Sequence, residues 1–204
     1  MRNVEDEYYI VRNVYNEKTV YLDATGQISE RLYTDSEVGY GDGPLIFDAS
    51  FYSYMDKGEE EACYKDGHMD GSFPIVSQRL YEKLSEYETD NFRLLPSIIS
   101  MTDGTYRDGY YFFNVIEKMD VIDLKLSEVL NPDTILLYRL NKFKLQSEKL
   151  DKIPEKERLV IVPKGVMGSP MIVHKKIVDI FRSMNVESVQ FFPLTSYSFG
   201  DEYS

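Results

Sequence analysis

From Pro74 to Pro96 the chain passes through a short apolar stretch, an amphipathic segment and a second apolar stretch that ends on proline. Ile75-Val76 leads to Leu80, Tyr81, Leu84 and Tyr87, and these lead to Phe92, Leu94, Leu95 and Pro96. Apolar positions three or four apart share one face of a helix, so the middle segment predicts a helix over Gln78–Tyr87 between two extended stretches. The pattern returns from Met171 to Pro193 without a gap, as Ile172-Val173, then Ile177, Val178, Phe181 and Met184, then Val189, Phe191, Phe192 and Pro193. Two blocks with the same period, length and punctuation predict two similar strand–helix–strand units, about 73–100 and 170–196, and suggest an internal duplication. Only Ile75, Val76 and Pro96 have identical counterparts. The likeness is therefore one of pattern, and an unrelated strand–helix–strand segment of this length would also meet it.

Ser77 stands where a helix N-cap belongs, its hydroxyl able to accept from a free helix amide, and His174 is its counterpart in the second unit. Phe92–Ser100 reads as extended but interrupted by Pro96, which cannot donate to a ladder and implies an edge or a bend. Before the first unit, Tyr8 to Val14, the Asn16-Glu17-Lys18 turn and Thr19 to Leu22 predict a hairpin. Residues 25–44 are glycine-punctuated loop, with a short helical turn near Ser29–Tyr33. Leu45-Ile46-Phe47 and Phe51–Met55 are strands or short buried helices, which periodicity leaves open. Between the units, Tyr110–Ile116, Ile135–Tyr138, Lys142–Leu145 and Leu159–Val162 predict strands, and the charged Lys149–Arg158 stretch predicts loop. The fold class is α+β, with mostly antiparallel strands and few helices.

Charge divides the chain in a way hydropathy does not. The formal net charge is −12; residues 1–72 hold 16 acidic and 6 basic side chains, and residues 73–204 hold 19 and 17. This separates an acidic, Tyr-rich N-terminal β/loop region (1–72) from an α+β domain carrying the two units (73–204). An acidic surface repels nucleic acid and anionic membrane and draws basic partners, although acidic charge also serves ordinary solubility. The chain has 17 tyrosines and no tryptophan, with Tyr40 set in a Gly/Asp loop. Tyrosine is enriched at interface centres and also packs in strands. Asp35, Glu37, Tyr40, Asp42, Glu59, Glu60 and Glu61 are the candidate partner-binding residues. A single cysteine, an acidic N-terminus and no apolar run of about 20 residues point to a cytoplasmic protein.

The chemical inventory is thin. Asp66, His68, Asp70 and Gly71 follow the opening spacing of a calcium loop, but Ser77 falls where a bidentate Glu is required, which favours a glycine-rich turn. Cys63 sits among acids, which raise a thiol pKa and blunt its reactivity. Gly39-Tyr40-Gly41-Asp42-Gly43 lacks the lysine of a phosphate loop. Carboxylates around Asp103–Asp123 offer an alternative, an enzyme or small-ligand-binding protein, but no spacing fixes a catalytic pair. No catalytic, cofactor-binding or metal-binding residues are assigned, and no cofactor is expected.

The order of segments now matters. Pro74-Ile75-Val76-Ser77 and its helix, the Leu94-Leu95-Pro96 strand end, Tyr110-Tyr111-Phe112-Phe113-Asn114-Val115, then Asp120, Asp123 and Ser127 precede the Ile172-Val173 unit and its Gln190-Phe191-Phe192-Pro193 end. Over roughly residues 70–195 this resembles the bacterial immunity proteins encoded beside polymorphic toxins, a family first catalogued as a domain of unknown function. His174 departs from the Val-Ser start that Ser77 matches. The resemblance implies a non-catalytic α+β protein that binds a cognate toxin and blocks it directly, and the acidic segment 1–72 would suit a basic toxin. No nucleic acid or membrane partner is expected, and oligomeric state is open.

Overall fold

The structure, a computed structural model, describes residues 3–14, 19–25, 45–49, 61, 63–133 and 136–203. Their strands, in chain order, are β1 (Tyr8–Asn13), β2 (Asp23–Ala24), β3 (Leu45–Asp48), β4 (Gly67–Asp70), β5 (Phe73–Ser77), β6 (Phe92–Ser100) and β7 (Tyr106–Val115). After these come β8 (Glu128–Val129), β9 (Leu140–Lys142), β10 (Val160–Ile161), β11 (Ile172–His174) and β12 (Val189–Pro193). The α-helices are α1 (Gln78–Leu84), α2 (Ser147–Leu150) and α3 (Lys175–Ser183). One sheet runs β2-β3-β6-β7-β5-β4, a second β10-β11-β1-β12, and β8 pairs with β9. The β3–β6 pairing is parallel and the other named strand pairings are antiparallel, which makes this a mainly antiparallel α+β fold.

Both strand–helix–strand segments wrap around a third strand. β5 and β6 lie on either side of β7, antiparallel to it, and α1 joins them. β11 and β12 lie on either side of β1 in the same way, joined by α3. The registers correspond: Ser77 faces Tyr110 where His174 faces Tyr8, Ile75 faces Phe112 where Ile172 faces Ile10, and Leu94 faces Phe113 where Phe191 faces Val11. The likeness is geometric, and the order differs. The central strand follows the first unit but opens the chain ahead of the second.

α1 and α3 lie on one common face. Leu80 and Leu84 of α1 and Ile177, Val178 and Phe181 of α3 are buried with Val76, Leu94 and Phe113 of one sheet and Val11, Val173 and Val189 of the other. α1 and α3 also touch each other. Asn185 ends α3 in the left-handed conformation (φ 55°), which a short polar side chain tolerates. The opposite faces have their own cores. Tyr8, Ile10, Ile161 and Ile172 pack under Val121, Phe143, Leu194 and Tyr197, while Phe47, Ile75, Leu95 and Phe112 pack under Val20, Leu22, Cys63 and Tyr64.

The sheets meet edge to edge at β4 and β12. Ser188 Oγ donates to the Gly67 carbonyl, and a Cβ at Gly67 would stand 3.2 Å from methyls of both Val186 and Val189. Glycine here leaves room for the close approach that a side chain would crowd. Strand pairings cross residue 72 in both sheets: β1 lies between β11 and β12, and β4 pairs with β5.

Several expectations are corrected. Thr19–Leu22 does not return along β1, because both edges of β1 are occupied by β11 and β12. Val20 and Leu22 instead bury against the larger sheet, with Leu22 N–H donating to Met69 O at 3.3 Å. Pro96 leaves β6 unbroken; β3 pairs with β6 from Ser97 onward, so the missing N–H stands just outside that pairing. The first helix ends at Leu84 and passes into a 3₁₀ turn over Ser85–Tyr87. Leu136–Tyr138 is no strand, since Asn131 takes the Leu137 carbonyl and the Arg139 N–H through its side chain and displaces a ladder. Lys149–Arg158 contains the end of α2 and a 3₁₀ turn at Glu155–Arg158, pinned by buried Leu150. The expected elements at Asn16–Lys18, Ser29–Tyr33 and Phe51–Met55 lie outside the described residues.

Candidate partner surface

Of the seven candidate binding residues, Asp35, Glu37, Tyr40, Asp42, Glu59 and Glu60 lie outside the described residues. Glu61 is described and is exposed. Its carboxylate pairs with the Arg107 guanidinium on β7. Arg107 in turn lies over the Tyr64 ring, 4.5 Å from its centroid, a cation–π contact that holds the guanidinium flat. The charge at Glu61 is thus engaged within the chain by a residue of the larger sheet.

The neighbouring polar groups are also locally satisfied. Asp66 accepts from Ser77 Oγ at 2.6 Å and from Arg79 at 3.0 Å. Ser77 occupies the N-cap position of α1 without a side-chain capping bond; its hydroxyl donates instead to the Asp66 carboxylate. His174, by contrast, does cap α3, its Nδ1 accepting from Lys176 N–H at 3.2 Å. Tyr110 donates its hydroxyl to Lys65 O at 3.2 Å, and burial raises its pKa.

His68 is buried completely, its Nε2 accepting from Lys65 N–H and its Nδ1 donating to Val20 O, both at 3.0 Å. Both ring nitrogens are occupied by backbone, and burial lowers the pKa to about 4. That arrangement joins the 20s segment to β4 and leaves no nitrogen for proton transfer. Asp70 lies two residues further along β4; burial raises its pKa to about 6, Asp23 adds to the rise, and the Ala24 N–H opposes it. Residues 67–70 form a strand, whose extension spreads alternate side chains about 7 Å apart, too far to wrap one calcium ion. The turn follows at Gly71, at φ +54°. Among the described residues no group of three or more His, Cys, Asp or Glu is placed to hold a metal ion.

The Asp103–Asp123 carboxylates are dispersed. Asp103 accepts from Thr105 in the β6–β7 turn, Asp120 pairs with Lys149 at 2.6 Å, and Asp123 accepts the amides of Lys125 and Leu126. Asp108 stands exposed on β7. Each of the first three serves its own turn or ion pair. A shallow depression elsewhere is lined by Glu88, Asp90, Arg93, Lys156 and Glu157, with both signs mixed.

Residues 14–138 match the family described as Immunity protein family (Imm11). The match spans more than half of the chain. The protein belongs to this immunity family. Matched residues include the whole first unit and β7, while β1 and the second unit lie entirely outside the match. Membership of an immunity family implies a toxin partner. A search of curated proteins finds no match. Among the described residues no helix is long and apolar enough to cross a membrane.

Sequence reasoning missed Arg107, whose stacking on Tyr64 and pairing with Glu61 depend on residues more than forty positions apart. It also missed exposed leucines on and beside the β8–β9 pair. There Leu136 and Leu137 carry a strand-like signal that the structure spends on the surface.

Proposed function

We propose that this Imm11 protein is a non-catalytic, cytoplasmic immunity protein that neutralises one cognate toxin by direct binding and occlusion. Family membership carries the reading. The charge distribution supports it: residues 1–72 hold a ten-unit excess of acidic over basic side chains, suited to meeting a basic toxin face and to fast encounter at low salt. Asp35, Glu37, Tyr40, Asp42, Glu59 and Glu60 would supply that contact, and Glu61 would hold the segment to the sheet through Arg107.

The test is co-purification with the polypeptide encoded by the adjacent upstream gene, together with survival of cells that express it. A stable complex and rescued growth are expected. Joint replacement of Asp35, Glu37 and Asp42 by Asn, Gln and Asn should slow association at low salt by about tenfold or more and flatten its salt dependence. Absence of both binding and rescue would sink the reading.

A further inference from the structure

His174 sits where three segments meet. It ends β11 opposite Tyr8 of β1, its N–H donates to Leu159 O at 2.8 Å, and α3 starts at the next residue. The ring is buried and held from several sides. Nδ1 accepts from Lys176 N–H at 3.2 Å, and the Tyr8 ring meets it edge-on with centroids 5.4 Å apart. Nε2 lies 3.8 Å from a Glu7 carboxylate oxygen, too far for a direct hydrogen bond. A nitrogen that accepts carries no proton, so the neutral ring bears its proton on Nε2, towards Glu7. The charged groups that act on the ring are of both signs. Glu7 comes from the 3₁₀ turn Val4–Glu7 ahead of β1, Glu155 and Arg158 from the turn Glu155–Arg158, and Lys176 from α3. Glu155 is paired with Lys176, and the adjoining Lys175 with Asp179.

The two nitrogens therefore favour opposite charge states. A proton on Nδ1 removes the lone pair that Lys176 N–H uses and sets two donors against each other. The same proton makes the ring a cation 3.8 Å from Glu7, which favours it. The corresponding position in the first unit has no such choice. Ser77 gives its hydroxyl to Asp66, makes no side-chain cap, and has no charge change near neutrality. One of the two units thus starts its helix on a titrating group.

We infer that His174 is a pH-sensitive catch on the second unit: neutral, it caps α3; protonated, it releases the helix amide and engages Glu7. Burial lowers its pKa from 6.5, and Glu7 is the strongest influence in the other direction. The folded chain therefore resists the proton. The catch is closed at neutral pH, and its stability is lost as pH falls below 6.5, until the ring is charged in the folded chain as well. Release reaches the core, because buried Ile177 and Val178 follow the freed amide directly. The test is a nuclear magnetic resonance titration of the isotope-labelled full chain from about pH 8 to about pH 5, the range in which histidine changes charge. It follows the histidine ring nitrogens and the exchange protection of the backbone amides. His174→Asn keeps an acceptor for the helix amide without a titrating ring, and separates the signals of His174 from those of His68. At neutral pH His174 is expected to carry its proton on Nε2 alone. As it charges, the Lys176 amide should lose about fivefold or more of its protection, the typical worth of a cap, while Ile10 of β1 keeps its own. His174→Asn should show no such loss, and Glu7→Gln should move the midpoint to lower pH. A proton on Nδ1 at neutral pH, a ring still neutral at the acid end, or Lys176 protection that holds while the ring charges would overturn the inference. So would an equal loss in His174→Asn. Should that variant fail to fold, the wild-type titration still decides, with the Glu7→Gln shift identifying the His174 signal.

Discussion

At the scale of single residues, two titrating groups on β4, buried His68 and half-buried Asp70, act in opposite directions. His68 is held neutral, with its pKa lowered from 6.5 to about 4 by burial. As pH falls through 6.5 the unfolded chain takes up a proton that the folded chain refuses, so His68 costs stability over the window from 6.5 down to about 4. Asp70 has its pKa raised from 3.8 to about 6, again chiefly by burial. The folded chain binds this proton before the unfolded chain does, so stability is gained as pH falls from about 6 towards 3.8. Each shift corresponds to roughly 3 kcal/mol, so the two contributions nearly cancel between pH 6 and 4. Asp70→Asn removes one side of this balance. The variant is expected to exceed wild type in urea-unfolding free energy by up to about 3 kcal/mol at pH 7, an advantage that shrinks towards zero by pH 4. A difference that is constant with pH would show that Asp70 is not buried as a charge at neutral pH.

Elements explain what could be read in advance. The two strand–helix–strand segments were legible because their signals are local: apolar spacing places Leu80 and Leu84, or Ile177, Val178 and Phe181, on one helix face. The role of β1 was not legible. Tyr8–Val11 reads as half of a hairpin because the nearest β-rich stretch follows it at once, whereas its actual neighbours, β11 and β12, lie more than 150 residues away. Ser77 and Asn131 show the same limit from the polar side, since each gave its hydrogen bonds to a group that sequence spacing did not suggest. Glu61 stood out in the sequence as a candidate for partner contact, whereas its pairing with Arg107 within the chain was not legible there. The seam between β4 and β12 supplies a prediction at this scale. Gly67→Leu would drive a side chain into Val186 and Val189, and should cost about 1–3 kcal/mol or more as overpacking, read as a lower midpoint in denaturant.

For the whole molecule, the stretch that identifies the family and the stretch that completes the fold are different. The match covers residues 14–138, yet β1 lies wholly before it and pairs with strands beyond it. A chain ending at residue 138 would leave β1 without both neighbours and would uncover Val76, Leu94 and Phe113, which α3 helps to bury. It is expected to lack a cooperative thermal transition and to bind hydrophobic dye, whereas the full chain melts sharply. A sharp transition in the shortened chain would mean that the larger sheet stands alone. The position of β1 also sets a clock. β1 waits for β12, some 180 residues later, which at ~5–20 residues per second is roughly ten to forty seconds of synthesis. Until then Tyr9, Val11 and the first helix face are open to chaperones and to wrong partners. Any activity that needs the folded chain therefore waits for β12, so a stop or frameshift just ahead of β12 should abolish it as completely as one near β1.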